Sequence, residues 1–188
     1  MPQPTLTTER MVLVPLTDEH LEYEVELDAD PEVLRYIEGR ARTREEVAGC
    51  HAERMELGGR VDGLGYWLAT ERTGEFVGVM MLPPAERPGE AELGYRLLRR
   101  CWRRGLAAEG AAALVRHGFA TAGQERIIAQ TMTVNTGSRR VMEKCGLRYV
   151  RTFFPDYPPI PGSGEGEVEY AITRAEWRAA TGLREVGL

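Results

Sequence analysis

The chain has 188 residues, of which 43% are hydrophobic and 28% charged, and its net charge is −5. That length and composition fit a single folded domain over residues 1–188 with a sizeable core, and argue against disorder. The acidic balance excludes a nucleic-acid binder that works by bulk electrostatics.

Three cysteines, Cys50, Cys101 and Cys145, stand without any C-x-x-C spacing. They point to a reducing compartment and away from a disulfide framework or a zinc cluster. The N-terminal stretch MPQPTLTTER lacks a basic-then-apolar signal pattern. No apolar run approaches the roughly 18 residues that span a bilayer. A cytoplasmic protein with no membrane, nucleic-acid or metal partner is the expectation.

Arg10 to Leu16 predicts a first strand. Thr17 and Asp18 offer cap oxygens before an acidic helix ending near Asp28. Asp30-Pro31-Glu32 predicts a restarted short helix carrying Val33, Leu34 and Ile37. Thr43 followed by Glu46 has the capping-box spacing, so a helix should run to Leu57 and end at Gly58-Gly59. Gly65–Thr70 and Phe76–Leu82 read as a hairpin around Arg72-Thr73-Gly74-Glu75, packed by Tyr66 and Trp67. Ala91 to Leu98 reads as one further strand.

An arginine-rich turn follows, Arg99-Arg100-Cys101-Trp102-Arg103-Arg104-Gly105, and then a helix from Leu106 to Thr121. Its apolar or small residues fall at 107, 110, 111, 114, 115, 118 and 119, a helical spacing with a face that can sit close to a sheet. Ile127–Val134 predicts a strand. Ser138–Lys144 predicts a short helix with Ser138 as its cap, stopped by Cys145-Gly146. Leu147–Phe154 and Glu167–Thr173 are two more strands, joined by a loop stiffened by four prolines. Ala175–Arg178 reads as a closing helix. This order of strands and helices predicts an α/β (α+β) domain with a mixed sheet.

Strand, glycine turn, helix, strand is the outline of an anion site. Helix N-terminal N–H groups lack internal partners, the helix dipole favours negative charge, and Gly105 lets backbone approach a bound group. Gly105–Gly110 matches half of a P-loop, but Ala111-Ala112 replaces its Lys and Ser/Thr. A dinucleotide fingerprint would need a second glycine that is absent. A plain turn with solvated arginines stays open on these residues alone. Glu92 shares a strand face with Gly94 and is a candidate base. His20 is a weaker one, and His51 and His117 sit on helices with no evident cluster.

Glu92 to Leu147 carries a recognisable motif set: Gly94-Tyr95, Trp102 through Gly105 to Glu109, Asn135 with Ser138, and Glu143-Lys144-Cys145-Gly146-Leu147. Together with Thr8-Glu9-Arg10 and Glu176-Trp177, it resembles the GNAT superfamily of acyl-CoA-dependent N-acyltransferases, in its RimJ/RimL-like branch of ribosomal-protein alanine acetyltransferases. The resemblance implies a mostly antiparallel sheet of about seven strands flanked by helices and splayed between the fourth and fifth. It implies acetyl-CoA (coenzyme A) as cofactor and an amine as acceptor, on a protein N-terminus or a small molecule. It allows a homodimer.

By the same resemblance, the backbone of Tyr95, Arg96 and Leu97 would pair with the pantetheine arm. Arg103, Arg104, Gly105, Leu106, Ala107 and Ala108 would hold the pyrophosphate, and Asn135 would hydrogen-bond the pantetheine. A backbone N–H near Gly94-Tyr95 would polarise the thioester carbonyl. Many relatives place a tyrosine acid where this chain has Met142, which cannot donate a proton. Ser138 is the nearest hydroxyl, and so the candidate acid or water-orienting group at the cofactor, with Glu92 as the candidate base. The resemblance would set the loop with Asp156 and Tyr157 beside the acceptor end or a dimer contact, and a plain surface loop stays equally open. The missing tyrosine also leaves a non-catalytic acyl-CoA-binding module as the alternative.

Overall fold

The computed structural model describes residues 2–182. Among the described residues nine strands are formed, in chain order: β1 Leu6–Thr7, β2 Met11–Pro15, β3 Gly65–Glu71, β4 Phe76–Leu82, β5 Glu90–Glu92, β6 Gly94–Leu97, β7 Arg126–Met132, β8 Arg148–Phe153 and β9 Glu167–Thr173. The helices are α1 Leu21–Asp28, α2 Arg44–Gly58, α3 Leu106–Ala120, α4 Thr136–Lys144 and α5 Arg174–Thr181. One sheet runs β1-β2-β3-β4-β6, with every pair antiparallel. The other runs β5-β7-β9-β8, and only its β5–β7 pair is parallel.

The expected strand over 91–98 is two strands. Glu90–Glu92 pair with β7, and the Leu93 N–H still donates to the Ile128 carbonyl at 2.8 Å. From Gly94 onward the chain pairs with β4 instead. This change of partner at Leu93 is the splay expected between the fourth and fifth predicted strands.

α3 can lie on the first sheet because its inner face is small. A Cβ on Gly118 would meet Ile127 Cδ1 at 2.9 Å and Leu82 Cδ2 at 3.1 Å, and one on Gly110 would meet Met80 Cε at 2.6 Å. Alternation along β6 then divides the two faces. Tyr95 reaches α4, while Arg96 reaches α1, where its Nη1 donates to Asp28 Oδ2 at 3.0 Å. Behind Arg96 lies a buried charged layer of Glu24, Asp28, Arg42, His51 and Arg54. His51 is therefore a member of a cluster, contrary to the expectation. Burial lowers Arg96 to about 10, with repulsion from Arg54 adding to it and Asp28 opposing.

The short helix expected at 31–37 does not form. Ile37, Glu38 and Gly39 all send their N–H to the Leu34 carbonyl, at 2.9, 2.9 and 3.0 Å, which closes a turn. Gly39, whose φ is 71°, takes the left-handed conformation that ends helices and turns the chain away at this point. The capping box on α2 does form: Glu46 N–H donates to Thr43 Oγ1 at 3.3 Å and Thr43 N–H to Glu46 Oε2 at 2.8 Å.

Candidate active site

Beyond Leu93, β6 is the edge of its sheet and the gap toward β7 stays open. The gap widens into a cleft of about 800 Å³, within the usual size range of small-molecule sites. Its two ends differ in charge. Trp102, Arg103, Gly105 to Ala108, Arg140 and Lys144 line the end between α3 and α4. Glu92, Gln130 and Glu167 line it where the sheets part, and Glu32, Arg35 and Tyr36 of the 31–39 turns line it as well. The end at α3 and α4 is cationic, whereas Glu92 and Glu167 stand within reach of each other's charge.

The turn before α3 is built by clamps from distant segments. Gly105 caps the helix in the left-handed region at φ 81°, and Arg103 sits there too at φ 58°. Arg10 donates from Nη1 to the Arg104 carbonyl at 2.8 Å and from Nε to Glu109 Oε2 at 2.6 Å. Thr8 Oγ1 donates to Glu109 Oε1 at 2.6 Å. Burial works against the Glu109 carboxylate, but these bonds outweigh it and hold its pKa below the usual value. This joins the motif residue Glu109 to the early Thr8–Arg10 stretch. Trp102 donates its indole N–H to the Leu97 carbonyl at 2.7 Å, which fixes the end of β6.

The arginines of this turn are mostly spent elsewhere. Arg99 pairs with Asp30 at 2.8 Å, and Arg100 with Glu26 at 3.2 Å. Arg104 pairs with Glu71 at 2.8 Å. Arg104 is thus a correction: its side chain turns to β3 and is not among the cleft-lining residues, whereas Arg103 is. Arg140 and Lys144, which sequence reasoning passed over, supply further positive charge. Their i, i+4 spacing on α4 was the available signal.

The cap of α4 is a second correction. Asn135, not Ser138, is the N-cap: its Oδ1 accepts from the Ser138 N–H at 3.2 Å, and its Nδ2 donates to Thr131 Oγ1 at 3.0 Å. Ser138 lies in the first turn. Its Oγ is 3.0 Å from the Tyr95 hydroxyl, and that hydroxyl also stands 3.0 Å from the Ser138 carbonyl, within donating distance of either oxygen. Met142 lies one turn on, buried, and also lines the cleft.

At the opposite end, the Glu92 carboxylate has no ion pair or side-chain hydrogen bond among the described residues. Burial, then the charges of Glu167, Glu169 and Glu90, raise its pKa above the usual carboxylate value. Tyr157 donates to Glu167 Oε1 at 2.8 Å; burial first and that carboxylate second push the phenol up to about 12. Cys145 is no nucleophile, because burial pushes its thiol up to about 11.

These features fit coenzyme A. β6 offers a free strand edge to an amide-bearing arm. The first turn of α3 offers N–H groups, and Arg103, Arg140 and Lys144 offer charge for phosphates. One edge of the β6 backbone is given to β4, and the Leu97 and Arg104 carbonyls accept from the Trp102 indole and from Arg10.

Comparison with known proteins agrees. The acetyltransferase (GNAT) domain family matches residues 10–148. FsC-acetyl coenzyme A-N(2)-transacetylase of Aspergillus fumigatus is 43% identical over 185 residues, covering 93% of this chain and 78% of that protein. A GNAT-family acetyltransferase from Bacillus anthracis superposes with a TM-score of 0.76 at 25% identity, covering 92% of this chain and 99% of that one. The RimL ribosomal L7/L12 α-N-protein acetyltransferase, solved with coenzyme A, shares the fold with a TM-score of 0.76 at 18% identity, over 90% of this chain and 98% of its own. The chain belongs to the GNAT family and is an acetyltransferase enzyme whose cofactor is acetyl-CoA.

Proposed function

We propose that the chain acetylates a primary amine on a small cationic molecule, entering at the carboxylate-lined end of the cleft. The observation that carries this is Glu92, a half-buried carboxylate with no partner among the described residues, at the point where the sheets part. Acetyl-CoA supplies an activated acetyl thioester. Glu92 accepts a proton from the attacking nitrogen, directly or through water, as that nitrogen gains positive charge. A backbone N–H at Gly94-Tyr95 donates to the thioester oxygen, where negative charge grows. Ser138 donates a hydrogen bond to the sulfur. Glu32 and Glu167 attract the acceptor's remaining charge.

The name of the Aspergillus fumigatus relative, an N(2)-transacetylase, supports nitrogen as the accepting atom. Within the family, the motif set from Gly94 to Leu147 supports the RimJ/RimL-like branch. That branch favours a second acceptor, a protein N-terminus. The three free cysteines support work in a reducing cytoplasm.

Thiol release from acetyl-CoA across an amine panel tests the proposal. Diamines and other small cationic amines are expected to turn over best. Preference for peptides with free N-termini would move the assignment to the second acceptor. No amine-dependent thiol release at all would overturn both and favour a non-catalytic binding module.

A further inference from the structure

Tyr95 was expected to contribute only its backbone. Its side chain ends 3.0 Å from both the carbonyl and the hydroxyl of Ser138, and both residues line the cleft. We propose that Tyr95 is a positioning residue for acetyl transfer, whose hydroxyl turns the Ser138 O–H toward the departing sulfur. The proposal rests on the acetyl-transfer assignment above and adds a residue to it.

The hydrogens available limit what the pair can do. A phenol has one hydrogen, and a serine hydroxyl has one. In a helix the Ser138 carbonyl already accepts from the N–H four residues on, at Met142. Two arrangements keep the Tyr95–Ser138 hydroxyl contact as a hydrogen bond. In the first, Tyr95 donates to the carbonyl and Ser138 donates to Tyr95, so the serine hydrogen is spent. In the second, Tyr95 donates to Ser138 Oγ, and the serine hydrogen is free for the cleft.

A negatively charged sulfur in the cleft favours the second arrangement, because only that one presents a donor to it. Met142, one helical turn from Ser138 on the same face, has a thioether and no hydrogen to give. Burial raises the Tyr95 phenol well above its usual pKa, so it stays protonated and remains a donor at any working pH. For the same reason the Tyr95 hydroxyl does not give its proton away outright. The balance is then plain. The C–N bond forms and the C–S bond breaks. Glu92 takes the nitrogen's proton. Ser138 stabilises the electron pair left on sulfur, and solvent protonates the thiol afterwards.

The test reads the sulfur itself. Coenzyme A, added as the free thiol, is titrated by thiolate absorbance in the binary complex with wild type, Tyr95→Phe, Ser138→Ala and the double variant. No acceptor is needed, so the outcome is independent of which amine the enzyme uses. In wild type the bound thiol is expected to ionise more readily than in solution, with about a tenfold larger thiolate fraction at a given pH below its pKa. Tyr95→Phe and Ser138→Ala should each abolish most of that gain, and the double variant should match Ser138→Ala alone. Ser138→Thr should restore it. Coenzyme A affinity at low pH and melting temperature should change little in Tyr95→Phe.

A bound thiol in Tyr95→Phe that titrates like wild type would overturn the proposal. So would losses from the two single variants that simply add. A purely structural role would appear as a lower melting temperature with the thiol titration unmoved. The amine panel failing while the thiol titration behaves as expected would count against the acetyl-transfer assignment and not against this one.

Discussion

Glu92→Gln is expected to lower kcat by about two to three orders of magnitude near neutral pH, with coenzyme A affinity changed less than about twofold. The substitution keeps the shape and removes the proton acceptor. It also removes a pH dependence whose sign follows from the environment. Only ionised Glu92 can take a proton. Burial and the neighbouring carboxylates Glu167, Glu169 and Glu90 raise its pKa, so the acid form persists to higher pH than for an ordinary carboxylate. Wild-type activity should therefore fall as pH drops through a point above the usual carboxylate range. In Glu92→Gln that limb should be missing from the residual activity. An unchanged kcat, or an acid limb that survives the substitution, would remove Glu92 from the chemistry and leave it a solvated strand-end charge.

Gly105→Val should weaken coenzyme A binding by about tenfold or more, whereas Gly105→Asn should cost distinctly less. The backbone at 105 has φ 81°, where a β-branched residue is strained by about 1–3 kcal/mol and Asn is tolerated. A new Cβ would sit 3.3 Å from Arg10 Nη2. It would thus press on the clamp that holds the Arg104 carbonyl and Glu109 rather than stand in the phosphate path itself. Displacing that clamp tilts the first-turn N–H groups of α3 away from a bound anion. Calorimetric titration with coenzyme A separates the cases. Equal losses for Val and Asn would deny the backbone-conformation argument, and no loss for Val would deny the turn its role.

Local signals carried the sequence reading far. The Thr43–Glu46 capping box, the hairpin about Gly74 and the small-residue face of α3 are each written within a few residues of where they act. The split at Leu93 was not legible in the strand pattern, because the change is of partner and not of backbone conformation; alternation runs through it undisturbed. The fates of the arginines were hidden for a related reason. Arg104 meets Glu71 and Arg10 meets Glu109, pairs set by tertiary proximity that no spacing encodes. In the stretch after β7, Asn135, Thr136 and Ser138 are all good cap formers. Ser138 was the expected cap where Asn135 serves, and that offset of three residues places Ser138 in the first turn, within reach of Tyr95. The carboxylates of the cleft come from three places in the chain, Glu32, Glu92 and Glu167, and only Glu92 carried a local hint.

On the proposed function, cofactor and acceptor meet from opposite ends of the gap between β6 and β7. A crystal structure with coenzyme A and the N-acetylated product of the best amine tests it most directly. The phosphates are expected at Gly105–Ala108 near Arg103, the thiol beside Gly94 and Ser138, and the new amide next to Glu92 with its amine side toward Glu32 and Glu167. Product bound at the α3–α4 end, or coenzyme A lying outside the splay, would contradict it.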